Sequence, residues 1–113
     1  MTSFRRGDVV VVSFPFTDLS AARRRPALVL STDEYIAKTG DLIIAQITSR
    51  VNSPARPGDY RLRQWQQVGL NVSSLVRARM TTLHSSKILR TVGRLSTQEM
   101  ASAGQSIASA LGL

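Results

Sequence analysis

Cysteine is absent from this chain of 113 residues, which excludes disulfide bonds, thiolate metal ligands and thiol nucleophiles. Histidine occurs once, as His84, so a zinc site with three or four converging protein ligands is not expected, and no cofactor motif is evident. Aromatic residues make up 5% of the chain, which predicts a core of aliphatic side chains. No apolar run is long enough to span a bilayer or to resemble a signal peptide, so we expect a cytoplasmic protein with no membrane partner.

Acidic residues are also scarce, with 7 Asp and Glu against 15 Lys and Arg, which gives a net charge of +8. Only Lys38 and Lys87 among the basic residues are lysines, so arginine carries nearly all of the positive charge. A guanidinium is a planar fork of donors that stays protonated and matches the oxygens of a phosphate. Because no amphipathic helix with a basic face is evident, we expect a nucleic-acid partner rather than a lipid surface.

Short β-branched runs hold much of the apolar content, which is 42% of the sequence, and they predict a mainly β protein. Pro26 fits the first position of the second strand, and a short helical turn within 32–39 is ended by Gly40. The predicted strands are 9–14, 27–31, 41–48, 59–62, 75–83 and 90–95, with connections at 51–58 and 64–71. We therefore expect one domain over residues 1–113, a small and strongly curved sheet or barrel with one helix packed on it.

The predicted helix lies at the C-terminal end. Ser96 and Glu99 form a capping-box pattern, in which the serine caps an amide of the first turn and the glutamate reaches back. An apolar stripe at helical spacing follows, and Gly112 ends the element. The stripe consists of Met100, Ala103, Ile107, Ala108 and Leu111.

Several segments in chain order resemble the PemK/MazF family of toxins from bacterial type II toxin–antitoxin systems. The matching segments are Gly7–Asp18, Arg24–Ser31, Ala45–Ser49, Val76–Arg79 and Gly93–Ser96. The resemblance implies an SH3-like β-barrel with a C-terminal helix, paired as a homodimer. It also implies a metal-independent endoribonuclease that cleaves single-stranded RNA, including mRNA, at short sequence motifs through attack of the ribose 2′-hydroxyl. A cognate antitoxin protein with an acidic tail is the implied partner that silences it.

The resemblance also assigns catalytic roles to two residues. Arg25 precedes Pro26, which is the place of the family's essential arginine, and Thr48 matches the threonine that the family uses beside it. A fixed guanidinium stabilises the negative charge that builds on a phosphate under attack, and a hydroxyl both donates and accepts hydrogen bonds. Some relatives carry an acid–base Asp where this chain has Arg79, so the resemblance favours Arg25 with Thr48.

RNA contacts are predicted around these two residues. Arg77 and Arg79 stand two apart in a predicted strand, so we expect them on one face with Leu75, lining the RNA groove. Phe16 is a candidate for stacking on a base. The full predicted RNA-binding set is Phe16, Thr17, Arg23, Arg24, Ser49, Arg50, Arg77 and Arg79. His84, beside Ser85 and Ser86, is interpreted as a structural residue.

Two other functions remain open at this point. A toxin family with the same barrel poisons DNA gyrase by protein contact and does not need the Arg25–Thr48 pair. A plain RNA-binding barrel would bind RNA with salt-sensitive affinity and leave it intact.

Overall fold

Six strands and three α-helices form the part of the chain that the structure, a computed structural model, describes, namely residues 3–13 and 23–113. The strands are β1 Asp8–Ser13, β2 Arg24–Val29, β3 Asp41–Thr48, β4 Tyr60–Arg61, β5 Leu75–His84 and β6 Ile88–Arg94. The helices are α1 Asp33–Thr39, α2 Trp65–Val68 and α3 Thr97–Ala110, and a 3₁₀ turn covers Ser85–Lys87. None of the helices in these ranges is long and apolar enough to cross a membrane.

The strands pair antiparallel in one sheet with the order β4-β5-β3-β2-β1-β6. The predicted mainly β fold with a C-terminal helix is confirmed. The barrel is not closed by hydrogen bonding among the described strands, because β4 and β6 remain the two ends of the sheet. Instead α2, which follows β4, packs on β6: a methyl group added to Gly93 would stand 2.0 Å from the carbonyl oxygen of Val68. The sheet therefore curves until its two ends meet through a helix.

Strand β2 begins earlier than predicted. Arg24, Arg25 and Pro26 pair with Ser13, Val12 and Val11 of β1, so they belong to the strand rather than to the loop before it. Pairing of β2 with β3 starts one residue after the proline, at Ala27, so the missing N–H of Pro26 removes no bond from that recorded ladder. The arginines that precede the proline thus have a backbone held by the sheet.

Both faces of the sheet are buried, and strand alternation divides the core in two. Val9, Leu28 and Ile47 lie in a cluster covered by α3 through Met100 and Ile107. The residues between them point to the other face and form a second cluster. This cluster consists of Val10, Val12, Ala27, Val29, Leu42 and Ile44, packed against Phe4, Ile36, Leu83 and Ile88.

Helix α3 is confirmed, with one difference at its cap. The Ser96 hydroxyl accepts the Glu99 amide at 3.1 Å, as predicted. The Glu99 carboxylate accepts instead from the Tyr60 hydroxyl at 3.0 Å and from the Arg63 amide at 2.7 Å. Because Glu99 is buried, these bonds fix the segment after β4 to the helix start. Leu111, predicted in the apolar stripe, is 53% exposed.

Candidate active site

The start of β2 and the end of β3 bring the two predicted catalytic residues together. The recorded pairing of β2 with β3 begins at Ala27 opposite Gln46, and Arg25 and Thr48 each lie two residues beyond this pair on their own strands. Alternation puts both side chains on the same face as Ala27. Arg25 and Thr48 therefore lie at the same end of the sheet, although 23 positions separate them in the sequence numbering.

Thr48 is largely buried, at 8% exposure, where β3 ends. Its Oγ1 accepts the amide of Arg50 at 3.2 Å, which fixes the first turn of the following loop. A hydroxyl oxygen has a second lone pair and one proton, so this bond leaves the Thr48 hydroxyl able to donate.

A cavity of about 560 Å³ opens beside these two residues, and both line it. Its cationic side chains come from β2 and β6. Its neutral polar side chains come from the C-terminal end of β3, the residue after it, and the connection between α2 and β5. The described lining residues are Val11, Arg24, Arg25, Pro26, Ile47, Thr48, Ser49, Gly69, Leu70, Asn71, Val72, Ser74, Leu89, Arg90 and Val92. None of these is acidic, so this lining favours an anionic ligand.

The ion pairs of the described residues leave these arginines out. Each of the four ion pairs joins other groups, and none includes Arg24, Arg25 or Arg90. Five of the six described carboxylates have partners elsewhere: Asp8 with Arg94, Asp33 with Arg5, Glu34 with Lys38, Asp59 with Arg77 and Glu99 with Tyr60. In the described part of the chain, the cavity arginines are therefore not neutralised by a described carboxylate.

Arg77 does not lie where the sequence predicted. Its guanidinium donates two hydrogen bonds to the Asp59 carboxylate, Nε to Oδ1 at 3.1 Å and Nη2 to Oδ2 at 3.0 Å, and both side chains are 7% exposed. Continuing the β4–β5 register from Tyr60 opposite Val76 makes Asp59 the partner of Arg77. The expected groove position for Arg77 is therefore corrected: its side chain is buried in an ion pair and does not line the cavity.

Asp59 and Arg77 shift each other's pKa values. Burial by itself raises the pKa of the Asp59 carboxyl, but the hydrogen bonds from Arg77 and from the Arg56 amide, with the nearby guanidinium charges, hold it below its ordinary value. The hydrogen bonds to Asp59 in turn raise the pKa of Arg77 against the opposing effect of burial. Both groups are thus held in their charged forms.

The remaining predicted RNA-binding residues are spread around the site. Arg24 and Ser49 line the cavity, whereas Arg23 and Arg50 are exposed beside it in sequence. Arg79 is half-buried in β5, where the pairing skips from Val76 to Met80 and leaves a bulge next to Gln46. Phe16 and Thr17 lie outside the described residues, as does the end of the first predicted strand at Phe14.

Arg90 is a cavity residue that sequence reasoning missed. It pairs with Val11 of β1, which pairs in turn with Pro26 of β2, so one row across three strands leads from the proline to Arg90. The register of β6 shifts on both sides, and the extra residues are Leu89 and Val92, which also line the cavity. The run 88–92 does not reveal these bulges, because no glycine or proline marks them.

His84, interpreted from the sequence as a structural residue, caps a short turn. It precedes the 3₁₀ turn, and its Nδ1 accepts the Ser86 amide at 3.1 Å. It is not among the residues that line the cavity. Within residues 3–13 and 23–113, no group of three or more His, Asp or Glu side chains is arranged to hold a metal ion.

A curved antiparallel sheet, a C-terminal helix on one face and an arginine-lined cavity define a small β protein suited to an anionic ligand. The family described as PemK-like, MazF-like toxin of type II toxin–antitoxin system matches residues 5–111. The chain belongs to this family, as the sequence motifs indicated. No curated protein sequence matches the chain.

Solved structures with the same fold cover nearly the whole chain. The crystal structure of MazF from Deinococcus radiodurans has a TM-score of 0.76 and 27% identity, with 100% of each chain covered. MazF in a MazE–MazF crystal structure from the same organism has a TM-score of 0.77 and 27% identity, with 99% of each chain covered. An endoribonuclease in complex with its cognate antitoxin from a mycobacterial species has a TM-score of 0.74 and 23% identity, covering 100% of this chain and 97% of that one.

Proposed function

We propose that this protein is an endoribonuclease toxin that cleaves single-stranded RNA, including mRNA, at short sequence motifs, with Arg25 and Thr48 as its catalytic residues. The observation that carries the proposal is that Arg25 and Thr48, from two neighbouring strands, line one cavity without described acidic residues. Family membership and the endoribonuclease among the structural neighbours support the same activity.

The chemistry follows from the groups at the cavity. The ribose 2′-oxygen attacks the adjacent phosphorus, the bond from phosphorus to the 5′-oxygen breaks, and a cyclic phosphate and a 5′-hydroxyl result. Negative charge grows on the phosphate oxygens during attack, and the Arg25 guanidinium stabilises it more in the transition state than in the ground state. Thr48 donates a hydrogen bond to a phosphate oxygen or orients the 2′-hydroxyl.

The two proton transfers of this reaction need a partner other than Arg25, because a guanidinium does not give up its proton in proteins. No His, Asp or Glu side chain is among the described lining residues, so the usual side-chain groups for proton transfer are missing from this lining. In our proposal water therefore takes the proton of the 2′-hydroxyl and supplies one to the leaving 5′-oxygen. No metal ion is required in this scheme.

The proposed assembly is a cytoplasmic homodimer that a cognate antitoxin silences. A structural neighbour at 27% identity is MazF from a MazE–MazF structure, which supports an antitoxin partner for this chain. An acidic tail of such a partner is complementary to the arginines that line the cavity, because those arginines lack a described carboxylate neighbour.

Cleavage of a long single-stranded RNA in the presence of EDTA tests the proposal. We expect the wild-type protein to cut at a limited set of sites and Arg25→Ala to be slower by about a hundredfold to a thousandfold, as for loss of a preorganised donor. Arg63→Ala, which removes an exposed arginine outside the cavity, is the matched control and keeps wild-type activity. RNA left intact while still bound would instead identify a non-catalytic RNA-binding protein, and a need for added magnesium would contradict the metal-free mechanism.

A further inference from the structure

Arg90 approaches the cavity from the side opposite to Arg25. Strand β1 lies between β2 and β6, so the two arginines are carried by backbones about 10 Å apart, two strand spacings. Arg25 pairs with Val12 on one side of β1, whereas Arg90 pairs with Val11 on the other side. Two cations held on opposite sides of one cavity match two successive phosphates of a strand better than a single phosphate.

The wall beside Arg90 is apolar and open to solvent. Leu89 on β6 is 48% exposed, and Val72 in the α2–β5 connection is 52% exposed, although both are large aliphatic residues. Leu70 and Val92 continue this surface into the cavity. The bulges of β6 create the wall, because they bring Leu89 and Val92 to the cavity together with Arg90.

Neutral polar groups border this apolar wall. Asn71 lies between Leu70 and Val72, and its amide both donates and accepts hydrogen bonds, as the edges of nucleobases require. The Ser74 hydroxyl donates to the Val72 carbonyl at 2.9 Å, which fixes the connection in place and leaves the hydroxyl oxygen as an acceptor. An apolar surface with amide and hydroxyl groups at its border suits the flat face and polar edge of a base.

We propose that this part of the cavity is a nucleotide subsite, in which Arg90 binds the phosphate next to the scissile one and Leu70, Val72 and Leu89 contact the base of that nucleotide. The proposal rests on the proposed RNA substrate. It makes Arg90 a source of affinity and the apolar wall a determinant of which base is accepted near the cleavage site.

A binding assay with RNA oligonucleotides of random sequence tests the phosphate contact. The oligonucleotides are 2′-O-methylated, so the attacking hydroxyl is blocked and the RNA stays intact. We expect Arg90→Ala to weaken binding by about tenfold to a hundredfold, the range for a charge-assisted hydrogen bond. The slope of log K against log salt becomes shallower by about 0.7, the value for one lost phosphate contact on a single strand. Arg63→Ala provides the control for loss of one exposed positive charge, and equal behaviour of the two variants would overturn the assignment of Arg90.

Sequencing of the cut ends of an unmodified RNA tests the base contact. Leu89→Ala and Val72→Ala relax the base preference at one position next to the cut, while Arg63→Ala leaves the preference as in the wild type. An unchanged preference in both wall variants would overturn the base assignment. The two proposals can fail separately. If the RNA stays intact but its binding depends on Arg90, the nuclease proposal is wrong and the phosphate contact stands. If the RNA is cleaved but its binding does not depend on Arg90, the nuclease proposal stands and the phosphate contact is wrong.

Discussion

Pro26 determines how Arg25 is presented. A residue before proline is restricted to extended backbone, and Arg25 in addition pairs with Val12 of β1. Its guanidinium therefore leaves the sheet from a fixed point, which is what preorganised stabilisation of a transition state needs. Arg77 shows a different use of the same side chain: it is buried and donates two hydrogen bonds to Asp59 within the fold. Residue type alone does not separate the two roles.

The hydroxyl of Thr48 is expected to contribute to the chemical step. Thr48→Val removes the donor while keeping the shape of the side chain. It raises the activation free energy of the cleavage step by about 2 kcal/mol, the scale of a hydrogen bond to a charged group, and so lowers the single-turnover rate roughly thirtyfold. Thr48→Ser retains the hydroxyl and most of the rate. Rates measured at saturating enzyme separate this effect from binding, and a Thr48→Val variant as fast as the wild type would remove Thr48 from the mechanism.

The ion pair between Asp59 and Arg77 is expected to stabilise the fold. Arg77→Met leaves a buried carboxylate without its partner and lowers the free energy of unfolding by about 3 kcal/mol. The double variant Arg77→Met with Asp59→Leu regains much of this loss, because two apolar side chains replace the pair. Urea unfolding at neutral pH measures the wild type, the single variants Arg77→Met and Asp59→Leu, and the double variant, and simple additivity of the two single changes would contradict the direct pairing.

Acid should remove the same stabilisation. The folded pKa of Asp59 lies below its ordinary value of 3.8, so its contribution is complete above that pH and is lost as the pH falls through the folded pKa. The difference in unfolding free energy between the wild type and Asp59→Asn is therefore expected to shrink as the pH is lowered below 3.8. A difference that stays constant down to strongly acidic pH would argue against the depressed pKa.

At the scale of elements, irregular strand pairing determines where side chains of β5 and β6 lie, including those of β6 that line the cavity. Alternation was predicted to set Arg77 and Arg79 on one face with Leu75, but β5 skips from Val76 to Met80 against β3, so the alternation is interrupted there. Strand β6 carries two such shifts, and they bring Leu89 and Val92 to the cavity beside Arg90. A bulge redirects side chains in this way without any change of composition.

Packing of α2 on β6 takes the place of strand pairing between the ends of the sheet. Gly93→Ala is expected to lower the free energy of unfolding by about 3 kcal/mol, because its methyl group would stand 2.0 Å from the Val68 carbonyl oxygen, a backbone atom. Gly104→Ala in α3 is the matched control: its methyl group meets only the movable end of Arg6, and the helix gains up to about 1 kcal/mol. Thermal or urea unfolding compares the two, and equal stabilities would mean that the contact of α2 with β6 is loose.

The distribution of charge is a property of the whole molecule. A net charge of +8 attracts polyanions in general, and four of the described carboxylates pair with Arg5, Arg94, Lys38 and Arg77 rather than with the arginines of the cavity. The cavity therefore combines positive charge with a concave surface. This arrangement suits both an RNA strand and an acidic antitoxin segment, which would compete for the same surface.

Binding of single-stranded RNA is accordingly expected to depend strongly on salt. Three phosphate contacts, through Arg24, Arg25 and Arg90, give a slope of about −2 in log K against log salt. Affinity therefore falls roughly twentyfold between 50 and 200 mM salt, which a fluorescence titration with 2′-O-methylated RNA measures. Affinity that does not change over this range would contradict phosphate binding by these arginines.

The sequence by itself determined the mainly β class of the fold, and its resemblance to the PemK/MazF family supplied the residues of the proposed chemistry. Runs such as 41–48 and the cap at Ser96 are local patterns, and local backbone preference and periodicity are enough to interpret them. The partner of Arg77, the contribution of Arg90, the new partners of Glu99 and the open sheet closed by α2 were decided by the tertiary structure. Each depends on which distant strand or helix lies alongside and in what register, and a register is set by the packing of the whole sheet rather than by any one segment.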